Sequence, residues 1–216
     1  MPYASCIARV LAMATLAMLT AGCFTSAQPL LLPSDATQPV EQGLWILYGQ
    51  DNDRKPPRTF DCRTYVGRTL CRSGFEDARL GPNRSYMVES LRLAPAPMID
   101  ENDNTVPDDE PWIHQTWFSD IGDGFYLIQQ DRRELSRYRF NYALGLLTTL
   151  DDGRAALFIY APMCDRNPEL HDLAPPDPSD DDYCNISSRQ NLFRLMHRFK
   201  LAVRRGAAPT LLYVKG

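Results

Sequence analysis

The sequence predicts a β-rich α+β domain: an antiparallel twisted sheet or partly open barrel with one C-terminal amphipathic helix and a closing strand. Short segments in which apolar and polar residues alternate follow one another from residue 43 onward. Glycine, asparagine and aspartate punctuate these segments. Only one segment, near the C-terminus, has the apolar spacing of a helix. Strands in succession favour an antiparallel sheet over alternating βαβ units.

The predicted strands form a series with two clear hairpins. They cover 44–48, 59–66, 86–93, 112–118, 124–130, 137–150, 154–160 and 210–214. For the segment 86–93 a helical turn is the alternative. The first hairpin turns at Asp120–Gly124, where glycines are available for positive φ. The second turns at Asp151-Asp152-Gly153, and Gly153 suits the left-handed position of a type I turn followed by a bulge.

The predicted helix begins after Ser187 and Ser188 and ends at Gly206. These serines supply the N-cap, and Gln190 completes a capping box with Ser187. One face is apolar and is expected to cover the sheet: Leu192, Leu195, Met196, Phe199, Ala202 and Val203. The opposite face is basic and is expected to be solvated: Arg189, Arg194, Arg198, Lys200, Arg204 and Arg205.

Composition excludes several classes of protein. The 216 residues include 23 basic and 27 acidic side chains, a net charge of -4, and 44% of the residues are apolar. This balance is typical of a globular domain and not of a collagenous, disordered or polytopic membrane protein. Because there is no surplus of basic residues, a nucleic-acid partner is not expected.

The first 22 residues have the layout of a signal peptide. Arg9 is their only charge, and the apolar run 10–20 is too short to span a membrane. The run ends in Leu19-Thr20-Ala21-Gly22-Cys23, which resembles the lipobox of bacterial lipoproteins. The residues after this motif resemble no named family.

The lipobox resemblance implies a processed and lipidated N-terminus. Cleavage before Cys23 would be accompanied by acylation of its sulfur and nitrogen with fatty acids such as palmitate, so that acyl chains hold the protein on a membrane. Phe24 stands where aspartate would retain a lipoprotein at the inner membrane. The expected location is therefore the bacterial cell envelope, facing the periplasm and at the outer membrane. The alternative is an ordinary secretory peptide, which would leave Cys23 unmodified.

The domain organisation follows from this signal. Residues 1–22 are the predicted signal peptide. Residues 23–42 are the predicted lipidated cysteine and a flexible tether. The tether is expected because residues 24–42 contain three prolines and only two charges. A single globular domain is expected over 43–216.

Four cysteines remain after Cys6 and Cys23 are set aside, and they form two sequence-local pairs. In an exported chain such pairs favour the disulfides Cys62–Cys71 and Cys164–Cys184. A four-thiolate zinc site is the alternative, but no Cys-x-x-Cys spacing occurs.

No catalytic, cofactor-binding or metal-binding residue is predicted. Gly-x-Ser-x-Gly, His-Glu-x-x-His and phosphate-loop motifs are absent, and His114, His171 and His197 lack ligand spacing. The acidic stretches at 100–104 and 108–110 and around 177–182 do not match an EF-hand loop and are expected to be solvated.

The leading functional hypothesis is therefore a lipid-anchored envelope protein with a non-catalytic binding or structural role, with another envelope protein as its partner. The alternative is a periplasmic carrier or sensor of a small apolar ligand, and a cell-envelope hydrolase is a third. The aromatic residues of the strands suit either a filled core or an internal pocket, and the sequence does not separate the two.

Overall fold

A computed structural model describes residues 24–49, 61–92, 98–99, 105–106, 112–131 and 140–216. This part of the chain contains fourteen strands and one α-helix. The strands are β1 (Phe24–Ser26), β2 (Gly43–Gly49), β3 (Cys62–Tyr65), β4 (Arg68–Leu80), β5 (Tyr86–Arg92), β6 (Met98–Ile99), β7 (Thr105–Val106), β8 (Trp112–Asp120), β9 (Phe125–Asp131), β10 (Phe140–Thr149), β11 (Ala155–Tyr160), β12 (Pro176–Asp177), β13 (Asp180–Asn185) and β14 (Leu211–Lys215). The helix α1 covers Arg189–Arg204.

Eight antiparallel strands form a closed barrel. Their order is β2, β4, β5, β8, β9, β10, β11 and β14, and pairing of β14 with β2 closes the ring. The predicted β-rich α+β class, with one C-terminal helix and a last strand, is confirmed. The sheet forms a closed barrel and not a partly open one.

The longest barrel strand, β4, was not among the predicted strands. Its sequence contains both basic and acidic residues, including Arg72, Glu76 and Asp77, so that it lacks the regular apolar alternation of its neighbours. The strand is held by its partners instead, because it pairs with β2 on one side and with β5 on the other. β4 also supplies a polar group to the barrel interior, as described below.

The two predicted hairpins are present, and their turns use the expected residues. Gly122, Asp123 and Gly124 have positive φ between β8 and β9. Gly153 has a φ of 83° between β10 and β11, and its N–H donates to the Leu150 carbonyl.

Helix α1 packs against the outside of the barrel beside β9 and β10. Its N-cap is Ser188, whose hydroxyl accepts a hydrogen bond from the Asn191 N–H at 3.2 Å. The N-cap is therefore Ser188, one residue after Ser187, the serine of the predicted capping box. Among the described residues no helix is long and apolar enough to cross a membrane.

One residue on the predicted basic face of α1 is buried. The Lys200 Nζ donates to the carbonyls of Ile121 and Gly122 at 2.9 and 2.8 Å, and it pairs with Asp123 at 2.8 Å. Lys200 therefore ties the helix to the β8–β9 turn, although the helical spacing placed it on the solvated side.

The segment 24–42, which the sequence predicts to be a flexible tether, lies on the barrel. β1 is fully buried between β10 and β13. Further along, the N–H groups of Leu30 and Leu31 both donate to the Gln129 Oε1 at 2.9 Å. Asp35 pairs with Arg189 of α1 at 2.6 Å. Proline content suggested a linker, but the apolar residues between the prolines pack against the barrel.

Both predicted local disulfides are present. Cys62–Cys71 joins β3 to β4 at directly opposite positions, and Cys164–Cys184 joins the segment after β11 to β13. The acidic stretch 180–182, expected to be a solvated loop, is part of β13. The other two acidic stretches, 100–104 and 108–110, lie outside the described residues.

Candidate functional site

The barrel contains a partly open cavity of about 120 Å³. Residues of all eight barrel strands line it, which places it in the interior. Inward positions alternate along each strand; β9 contributes Ile128 and Gln130, and β10 contributes Asn141 and Ala143. The volume approaches that of an engineered apolar cavity of about 150 Å³ that binds benzene.

Most of the cavity wall is apolar. Its buried members pack as one cluster: Trp45, Ala78, Tyr86, Val88, Phe118, Ile128 and Leu157. The rings of Tyr86 and Phe118 meet edge to face at 5.5 Å. Moving the apolar surface of a ligand from water into this cavity is favourable, so the cavity favours a hydrophobic group.

The segment before β2 contributes Val40 to the wall. The Tyr86 hydroxyl donates to the Val40 carbonyl at 2.7 Å and accepts from the Val40 N–H at 3.1 Å. These two hydrogen bonds hold the segment against the barrel, and burial raises the pKa of Tyr86 to about 12. Part of the region expected to be a tether therefore helps to form the cavity.

A carboxyl group, Glu76 of β4, lies in the wall. The Ser90 Oγ donates to its Oε1 at 3.1 Å from the neighbouring strand, and the Tyr213 hydroxyl of β14 also bonds to it. Burial raises the pKa of Glu76 to about 7, and the two hydrogen bonds offset only part of that effect. Burial also raises the pKa of Tyr213, and the neighbouring carboxylate raises it further.

A second polar group is formed by side chains of β8, β9 and β10. Asn141 lies directly opposite Gln130, and Gln130 lies opposite Thr116. The Gln130 Nε2 is 3.4 Å from the His114 Nε2. All four side chains line the cavity.

The Asn141 amide is buried without a hydrogen-bond partner. Its side chain is 3% exposed, and within the described residues neither its nitrogen nor its oxygen has a partner. The same holds for the Thr116 hydroxyl. Each such group costs about 1–3 kcal/mol when it is left unsatisfied. A ligand with a polar atom at this place would satisfy them.

The cysteines and histidines singled out in the sequence lie mostly away from this cavity. The four disulfide cysteines are not among its lining residues, and Cys23 lies outside the described residues. Of the histidines only His114 lines the cavity. His171 donates to the Cys164 carbonyl at 2.9 Å, and His197 is exposed on α1.

In the part of the chain that the structure describes, one group of three side chains has metal-ligand proximity. The ligand atoms of Cys164, His171 and Cys184 lie within 4.8 Å of one another. The two sulfur atoms are joined in a disulfide, so they do not offer the thiolates that a metal requires.

The polar cavity residues Glu76 and Asn141 were both missed by sequence reasoning. For Glu76 a faint pattern was present. The weak signal was positional, because Gly74, Glu76 and Ala78 alternate on one face of a strand. It was hidden by the charged residues on the other face of β4.

No family model, curated protein or solved structure matches the chain. Function is therefore inferred from the residues of the cavity.

Proposed function

We propose that this protein is a non-catalytic carrier or sensor that binds a small, largely apolar ligand inside the barrel. The buried Asn141 amide carries the proposal, since it lines the cavity with both of its hydrogen-bonding atoms unpartnered in the described residues. Buried polar groups are almost always hydrogen-bonded in folded proteins. A bound ligand would supply the missing partner.

The rest of the wall supports a ligand with an apolar body. Trp45, Phe118 and Leu157 surround the space with hydrophobic surface, while polar groups occupy two separate places. Binding pockets for small molecules combine these features: an apolar lining with a few placed polar groups. An internal cavity suits a small molecule better than a folded partner, so this proposal replaces the protein partner as the leading hypothesis.

We further propose that the barrel is anchored through Cys23 in the bacterial cell envelope, facing the periplasm. The lipobox-like end at Ala21-Gly22-Cys23 supports the anchor, and the two disulfides suit an oxidising compartment. Phe24 after the cysteine supports the outer membrane. Because β1 begins at Phe24, the acyl chains would attach next to the barrel itself.

Filling the cavity tests the carrier proposal. Ala143→Leu places a larger side chain into the space, whereas Thr148→Leu makes a similar change at an exposed position of the same strand. We expect native mass spectrometry of protein purified from its own envelope to show a stoichiometric small molecule on the wild type and on Thr148→Leu, but not on Ala143→Leu. A ligand-free wild type, or an adduct that survives Ala143→Leu, would contradict the proposal.

A further inference from the structure

The described residues of the cavity wall include an acidic side chain but no lysine or arginine. Glu76 is the only carboxyl group among these described residues. No lysine or arginine nitrogen of a described side chain lies within 4 Å of its carboxyl oxygens. Its hydrogen bonds come instead from the neutral hydroxyls of Ser90 and Tyr213.

Titratable groups on the surrounding strands have described contacts away from Glu76. On β14, the Lys215 Nζ donates to the Gln42 carbonyl at 2.6 Å and lies 5.6 Å from the centre of the Trp45 ring. On β8, His114 borders the second polar group beside Gln130. On β4 itself, Asp77 pairs with Arg79 on the alternate face.

Aromatic rings flank the carboxyl group. Trp45 of β2 lies directly opposite Glu76 on the neighbouring strand, and Tyr213 bonds to the carboxyl from β14. Ring faces attract cations, particularly where water is excluded. The Lys215 Nζ already lies over the Trp45 ring. The Glu76 carboxylate, which has no ion-pair partner among the described lysines and arginines, is therefore the group that favours a positive charge here and disfavours an anion.

We propose that the ligand is a small molecule with an apolar body and a protonated amine, and that the amine pairs with the Glu76 carboxylate. This inference rests on the proposed function, because it requires that the cavity binds a ligand. The amine would donate to the carboxylate, and the apolar body would lie against Phe118, Ile128 and Leu157. A buried carboxylate costs free energy until a cation accompanies it, and the ligand supplies that cation.

The proposal makes affinity depend on pH in a definite direction. The amine binds the ionised form of Glu76, whose pKa in the free protein is about 7. Below that value the carboxyl must release its proton before it can pair. The affinity should therefore fall by about tenfold per pH unit below the pKa and level off above it, since an alkylamine stays protonated throughout this range.

Three probes of nearly equal shape separate the possibilities: benzylamine, benzyl alcohol and benzoate. Their affinities for the full chain would be measured by isothermal titration calorimetry between about pH 5.5 and 8.5. We expect benzylamine to bind most tightly above pH 7 and to weaken as the pH falls. Benzyl alcohol should bind more weakly at high pH and show little pH dependence.

Glu76→Gln keeps the shape of the side chain but removes its charge. We expect it to weaken benzylamine at least tenfold at pH 8 and to remove the pH dependence, while benzyl alcohol binds as before. Glu89→Gln on β5 is the matched control, because Glu89 lies on the outward face of the neighbouring strand and pairs with Arg79 at 3.7 Å. It should leave all three affinities unchanged.

The outcomes distinguish the two proposals. At pH 8, tighter binding of benzyl alcohol or benzoate than of benzylamine, or benzylamine binding that is unaffected by Glu76→Gln, would overturn the amine inference and leave a ligand-binding cavity. If none of the three probes bound, while native mass spectrometry showed a ligand without an amine, the inference alone would be wrong. If no probe and no native ligand bound, the proposed function would fail as well.

Discussion

The Ser90 hydroxyl donates a hydrogen bond of 3.1 Å to the Glu76 carboxyl across two neighbouring barrel strands. This pair places an ionisable group in the wall of an otherwise largely apolar cavity. Two hydroxyl donors, from Ser90 and Tyr213, do not compensate for the loss of water around the carboxylate, so the pKa of Glu76 rises to about 7. The barrel thus contains a group that changes charge near neutral pH.

This shift makes stability depend on pH. Because the pKa of Glu76 is higher in the folded state than in the unfolded state, the folded state binds the proton more tightly. The stabilising effect is fully present below about pH 4.5, where both states are protonated, and it is lost as the pH rises through about 7. The difference between the ordinary pKa of 4.5 and the folded-state pKa of about 7 corresponds to about 3 kcal/mol in the free energy of unfolding.

Glu76→Gln isolates this contribution. We expect the urea midpoints of wild type and variant to be similar near pH 4.5 and to separate as the pH rises, with the variant more stable by up to about 3 kcal/mol at pH 8. Glu89→Gln on the outward face should show no such divergence. A constant difference between the wild type and Glu76→Gln across this range would contradict the buried, proton-binding carboxyl.

The fold could be predicted where local sequence and tertiary packing agree. β2, β8 and β9 alternate between inward and outward side chains, and the glycines at 122, 124 and 153 match their turns. The apolar face of α1 was predicted from the spacing of its residues alone. Each of these features depends only on residues a few positions apart in the chain. The fold class could therefore be predicted from the sequence.

The cavity could not be predicted, because it depends on partners far apart in the chain. Glu76 lies on a strand whose charged residues hide its alternation, and its partner Tyr213 lies far along the chain on β14. The packing of segment 24–42 depends on Gln129 and Arg189. Lys200 is buried only because the β8–β9 turn presents carbonyls to it. In each case a tertiary contact overrides a local pattern.

The anchor is tested at Cys23. Cys23→Ser removes the sulfur that the lipobox resemblance implies is acylated, so we expect loss of fatty-acid labelling and release of the protein from membranes. Cys6→Ser is the matched control, since Cys6 lies within the predicted signal peptide and would leave with it. Labelling and membrane retention that persist in Cys23→Ser would refute the lipid anchor and favour the ordinary secretory peptide.

The packing of α1 provides the last prediction. Phe199 is 7% exposed and belongs to the apolar cluster between the helix and the barrel, together with Leu192, Leu195 and Met196. Its neighbour Arg198 points outward, where it pairs with Asp172 at 2.7 Å and both side chains are more than half exposed. Adjacent positions on one helix thus differ in burial while their helical context is the same.

We expect Phe199→Ala to lower the free energy of unfolding by about 3–5 kcal/mol, through lost transfer free energy and the cavity that remains. Arg198→Ala should change it by about 0.5 kcal/mol, because an exposed ion pair contributes little. Urea denaturation of the two variants measures the contrast. Equal midpoints would show that the apolar stripe does not hold the helix to the barrel, and the basic face would then be the packed side. A large difference in the expected direction would instead show that the apolar stripe packs on the barrel and that the basic side is the exposed one.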